Sequence, residues 1–335
     1  MGIVAGLRRR ILTPDIAQTT MAVRGFHVKS PEGRERLETV GRSFLHGYAL
    51  AAEARRPDDA AAGLDGVAHA FRGFAYEGAA MAFAVRDGLP FGGRYVERFL
   101  AGPGAPHVYM TYVGVGWAMA RLPRMRWSTL HAPDPVLRWL VLDGYGFHQA
   151  YFKTARYVGA RYRPDDFPWP AEGPRWYAGR VIDQGIGRAM WFVAGTDARR
   201  LHTMIERFPE DRRADLYSGA GLAATYAGGA TEAELRGLLG AAGRYAGDLA
   251  QGSSFAAGAR VRAGLVTEHT AMATEVFCGC TPQRASAVND EALTGLDLRS
   301  AESPAYEQWR RRIKNAYQPP DGATLPSAGG TRETA

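Results

Sequence analysis

In the segment LRWLVLDGYGFHQAYF an acid, Asp143, and an imidazole, His148, interrupt a run that is otherwise apolar and aromatic. A carboxyl group in apolar surroundings favours its neutral form and becomes a proton donor. An imidazole nearby can accept or relay that proton. Glu77 in FAYEGAA and Asp183 in RVIDQGIG stand in the same kind of setting. Asp143, His148, Glu77 and Asp183 are therefore the candidate catalytic groups. Asp143 and His148 are five residues apart, about 140° around a helix, so they cannot pair within it and would meet only through the fold. Arg188 lies the same distance after Asp183 and is a candidate partner for it, across a bend, or for the anionic end of a ligand.

These groups share a sequence frame. LHGYALAA, YEGAAMAF, YVGVGWAM, LDGYGFHQ, DQGIGRAM, YSGAGLAA and AQGSSFAA align on Gly47, Gly78, Gly114, Gly144, Gly185, Gly219 and Gly252, spaced by 31, 36, 30, 41, 34 and 33 residues. That period belongs to helical hairpins in tandem. Four residues after each glycine stands an alanine, except at His148. Small residues one turn apart form a notch that lets a neighbouring helix approach closely, offsetting the roughly 1 kcal/mol that each glycine costs a helix.

The residue before each glycine forms a polar column of His46, Glu77, Val113, Asp143, Gln184, Ser218 and Gln251. One turn later comes a belt of Leu50, Met81, Trp117, Phe147, Arg188, Leu222 and Phe255. If equivalent faces point inward, a polar ring lies beside an apolar belt, a lining suited to a long and mostly hydrocarbon ligand. The predicted substrate-binding residues are His46, Trp117, Phe147, Gln184, Arg188, Ser218, Gln251 and Phe255. Trp191 joins them, as do Tyr76 and Tyr112, which recur two residues before their glycines.

No segment alternates strictly with a period of two, so the chain reads as mainly α: tandem helical-hairpin repeats forming a duplicated α/α array or toroid around a cavity. Residues 1–30 form an N-terminal basic segment and 31–317 the helical repeat domain, with halves of about 31–152 and 180–317 divided by RYRPDDFPWPAEGPRWY. Residues 318–335 have lost apolar periodicity and read as a disordered tail. Proline and glycine punctuate the connections, and Thr196 or Asp197 is placed to cap a helix.

Composition narrows the function classes. The charge of +7 comes from 41 basic and 34 acidic residues spread along the chain without a basic stripe, which argues against nucleic acid. Cys278 and Cys280 are too close for an unstrained disulfide and too few for a zinc site, as expected for a reducing cytoplasm. No signal peptide or 18-residue uncharged apolar run is evident. A soluble protein is expected, with peripheral membrane contact through the N-terminus as an alternative. Phosphate-loop, HExxH, paired CxxC, nucleophile-elbow and complete dinucleotide fingerprints are absent. The acidic pairs in RRPDD and YRPDD look like magnesium-diphosphate motifs, but prolines place them in loops. Such carboxylates need a rigid helix face, so no cofactor is expected and Mg2+ is the alternative.

RGFAYEGAAMAFAV, HVYMTYVGVGWAMARLP, LRWLVLDGYGFHQAYF, DQGIGRAMWFVAG, RRADLYSGAGLAATYAGG and LAQGSSFAAGAR, in this order over about residues 20–300, resemble a bacterial family encoded beside iterative enediyne polyketide synthases. The resemblance implies work on, or around, the linear polyene that such a synthase releases. It implies as partners that polyene and other enediyne-cassette proteins, including a membrane component. Related proteins also occur outside such clusters, and the family carries no catalytic assignment onto single residues here. The expectation is an enzyme of natural-product biosynthesis that isomerises or cyclises a polyene by acid/base chemistry. Asp143 or Glu77 would donate a proton, His148 would relay it, and Trp117 and Phe147 would stabilise positive charge. The alternatives are an isoprenoid (terpene) cyclase and a non-catalytic polyene carrier or scaffold subunit.

Overall fold

The computed structural model describes residues 15–90, 92–170, 174–300 and 302–317, and every regular element among them is helical. The predicted C-terminal tail lies outside the described residues, as do the first fourteen residues of the basic segment. The seven glycine motifs fall on seven helices: α1 (Pro31–Glu53), α2 (Arg72–Asp87), α3 (Val108–Met119), α4 (Leu140–Phe152), α5 (Arg175–Val193), α6 (Glu210–Ala227) and α7 (Ala246–Arg262). Their starts follow local chemistry. Ser30 Oγ accepts from the Gly33 N–H ahead of a proline in the first turn of α1, and Glu210 and Asp211 occupy the positive end of α6. Asp197 caps Ala198–Ile205 by accepting from the Arg200 N–H at 2.9 Å.

Successive helices from α1 to α7 pack side by side in chain order. The glycines explain how closely. A Cβ added at Gly114, Gly144, Gly185, Gly219 or Gly252 would lie 1.8–2.3 Å from the carbonyl oxygen of Glu77, Val113, Asp143, Gln184 or Ser218 respectively. Each of these five glycines is thus seated on the carbonyl of the residue that precedes the glycine of the helix before it, while Gly78 meets the Phe44 carbonyl and Gly47 that of Ala75. A second ladder runs the other way: Gly116, Gly146, Gly187 and Gly221 meet the carbonyls of Val141, Ile182, Leu216 and Leu249 on the next helix, at 2.0–2.2 Å from an added Cβ. The Gly-x-Gly pairs therefore serve one neighbour with each glycine, backbone against backbone, where weak Cα–H···O contacts form.

The array curls until α6 touches α1. Arg36 Nε donates to the Ala227 carbonyl across this junction, and Lys29 pairs with Glu234 at 2.9 Å. Outside it, Ala198–Ile205, Glu232–Ala242 and α8 (Glu268–Cys278) pack on one another. The chain then adds α9 (Pro282–Leu293) and α10 (Ala305–Ala316) against α7. Helix α10 buries Tyr306, Trp309, Arg310 and Ile313 in a strongly amphipathic pattern.

Candidate functional site

The belt lines a cavity inside the curled array. Met81, Trp117, Phe147, Arg188 and Leu222 form its wall with Phe44 of α1 and Phe74 of α2. The next turn of each helix, seven residues after the repeat glycine, adds Arg121, Tyr151, Phe192 and Tyr226. The exposed Asp15 and Arg121 mark its mouth. Trp117 stands at the centre of the aromatic wall, its ring centroid 4.5 Å from that of Phe44, 5.1 Å from that of Phe147 and 5.5 Å from that of His148, whose ring is perpendicular to it. The cavity volume is about 60 Å³, room for a handful of waters or one slender chain. A second chamber of about 30 Å³ adjoins it, walled by Phe255, Ala259, Tyr109 and Trp309. Arg188, Leu222 and Tyr226 line both chambers.

One carboxyl group belongs to this apolar lining. Glu77 is 3 % exposed and forms no salt bridge within 4 Å among the described residues. Burial pushes it up to about 7, against the pull of the Arg188 guanidinium and with a further push from Asp143. The Trp117 indole N–H lies beside it without a hydrogen bond of ordinary geometry. Arg188 is committed elsewhere: its Nη1 pairs with Asp143, whose other oxygen accepts from Gln184 Nε2 at 2.9 Å. Burial raises the Asp143 carboxyl while Arg188 and Gln184 stabilise its anion. With one arginine facing two acids, the neutral arrangement is an ionised Asp143–Arg188 pair and a protonated Glu77.

Two sequence expectations need correction. Arg188 pairs with Asp143, because successive helices bring residues 45 apart into register. The proposed partner Asp183 is instead bonded by Arg212 at 3.0 Å from Nε, away from the cavity. His148 does line the cavity, but burial, with Arg121 and Lys153 nearby, lowers its pKa to about 3. Its ring stays neutral, which makes it a weak proton acceptor and not an efficient relay.

The polar column divides between faces. His46 is exposed. Gln184, Ser218 and Gln251 turn toward α10: Gln184 Nε2 donates to Tyr306 Oη at 3.1 Å, and Gln251 Oε1 accepts from Ser218 Oγ at 2.7 Å and Arg310 Nε at 3.2 Å. Around them Arg310 and Arg180 grip Asp215 at 2.8 and 2.9 Å, and Tyr177 Oη donates to Glu307 at 2.8 Å. These bonds hold α10 as a floor under α5–α7. Three aromatic candidates also lie outside the cavity. Tyr76 donates to Asp65 at 2.8 Å and stacks on His107, Tyr112 Oη accepts from the Asp134 N–H at 3.1 Å, and Trp191 donates to the Gly228 carbonyl at 3.0 Å. Trp117, Phe147, Arg188 and Glu77 meet at the first chamber, and Phe255 lines the second. Tyr151, Phe192 and Tyr226 escaped the sequence reading, although extending the belt by four residues finds all three. The acidic pairs are occupied structurally: Asp59 accepts from the Arg55 and Arg56 N–H groups, and Asp166 pairs with Arg175 at 3.0 Å.

A family model for proteins of unknown function, DUF1702, matches residues 3–317. The chain belongs to that family. No curated protein and no solved structure matches it. For this DUF1702 protein, no helix among the described residues is long and apolar enough to cross a membrane.

Proposed function

We propose that this DUF1702 protein binds a slender unsaturated chain in the belt-lined cavity and isomerises or cyclises it by proton transfer from Glu77. The observation that carries this reading is a buried carboxyl group, without a salt bridge among the described residues and raised to about 7, set beside Arg188 in a wall that is mostly aromatic and aliphatic. The proton of Glu77 would add to a terminal alkene carbon, giving a cation delocalised along the chain. The faces of Trp117 and Phe147 would stabilise that cation. The carboxylate left behind lies in the field of Arg188 and takes a proton back from another carbon, so the step needs no oxidant and regenerates the acid. This assigns the donor role to Glu77, since Asp143 and Asp183 are spent in ion pairs.

The resemblance to enediyne-cassette proteins supports a linear conjugated polyene as the chain; an isoprenoid would use the same acid and aromatic wall. A polyene carrier is the second reading, favoured by the neutral His148, which leaves Glu77 without an efficient basic partner. Incubation with a linear conjugated polyene, followed by absorption spectrum and product mass, separates these readings. Catalysis predicts that the polyene bands shift with the wild-type protein and persist with Glu77→Gln. Binding without spectral change in both proteins would leave a carrier.

A further inference from the structure

Six of the seven belt residues line the two chambers; five of these are apolar, and α5 alone places an arginine among them. Arg188 is not free to turn away, because Asp143 holds its Nη1. Its Nε–H is buried and has no hydrogen-bond partner among the described residues, and the buried Tyr226 hydroxyl has none either. Both side chains line both chambers, and Tyr226 feels the charges of Arg188 and Glu77. Buried donors left unpaired destabilise a fold, and these two belong to side chains that both chambers share, which marks that shared wall as a place for an acceptor. A hydrocarbon offers none. A carboxylate would find an exposed cation at the mouth, Arg121, without giving up its hydration. A carbonyl oxygen has two lone pairs for two donors and no proton of its own to place.

We propose that the ligand carries a carbonyl oxygen within its chain, held by Arg188 and Tyr226 at the partition, with an apolar arm in each chamber. This rests on the reading of the cavity as a chain-binding site. The test is the quenching of tryptophan fluorescence of the full-length protein by three nine-carbon probes: dibutyl ketone, n-nonane and nonanoic acid. The ketone should bind at least about tenfold more tightly than nonane. Tyr226→Phe should reduce that preference by about threefold or more, leave nonane affinity unchanged, and keep or raise the thermal midpoint, because the hydroxyl removed has no partner. Equal affinity for ketone and nonane would overturn the carbonyl assignment, with waters satisfying the donors, while sparing the chain-binding reading. Tightest binding by nonanoic acid, unaffected by Tyr226→Phe, would also overturn it and move the polar group to the mouth. Binding by none of the probes would overturn both. If Tyr226→Phe does not fold, the ketone-to-nonane ratio on the wild type decides alone.

Discussion

Glu77 and His148 line one cavity, yet burial moves them in opposite directions on the pH scale. Glu77 rises from 4.5 to about 7. Below about 4.5 both folded and unfolded chains hold its proton. Between there and about 7 only the unfolded chain releases it, so folding stability falls as pH rises and then levels off. The accumulated cost is about 3 kcal/mol. Glu77→Gln should remove this slope, making the variant the more stable protein above pH about 7 and equal to wild type in acid, as urea unfolding across pH would show. The activity proposed for the protonated acid holds across that interval and falls only as pH rises through about 7, where the folded protein gives up the proton. His148 drops from 6.5 to about 3, so stability falls as pH is lowered through this range, where the unfolded chain alone gains the proton. His148→Gln should therefore gain on wild type at mildly acid pH. Asp143→Asn differs from both, since it strands the buried Arg188 guanidinium. A loss of about 3–5 kcal/mol is expected, readable as a large drop in denaturation midpoint.

At the scale of helices, the glycine ladders set the distance between neighbours, and with it the width of the cavity that the belt encloses. Gly219→Ala would place a methyl group 1.9 Å from the Gln184 carbonyl, a backbone atom that cannot rotate aside. Helices α5 and α6 would have to separate, at a cost of about 3 kcal/mol or more. Gly237, on the exposed face of Glu232–Ala242, has nothing within 4 Å of an added Cβ. Gly237→Ala should stabilise by about 0.4–1 kcal/mol through the unfolded chain. Thermal unfolding of the two variants separates a packing glycine from an incidental one. The ladder was half legible in the sequence: the glycine column was visible as a period, but the second glycine of each Gly-x-Gly pair gained meaning only when the following helix was seen against it.

For the whole molecule, α10 closes what the repeats leave open. Trp309 walls the second chamber, packs tilted against Phe255 with ring centroids 4.4 Å apart, and donates to the Asn289 carbonyl at 2.8 Å. Trp309→Ala should cost about 3–5 kcal/mol and lengthen the chamber, so that affinity shifts toward longer chains in a probe series. The sequence by itself determined the helical class, the tandem period, the glycine notches and the belt, because each is written as spacing along a single helix and helix geometry converts spacing into a face. Tertiary structure alone decided which acid remains unpaired. Asp143 and Asp183 look like Glu77 in sequence, but each receives an arginine from a neighbouring helix, 45 and 29 residues away, and Glu77 receives none among the described residues. Proton affinity in a low-dielectric interior depends on the nearest charges in space, and those pairings form only when the array curls.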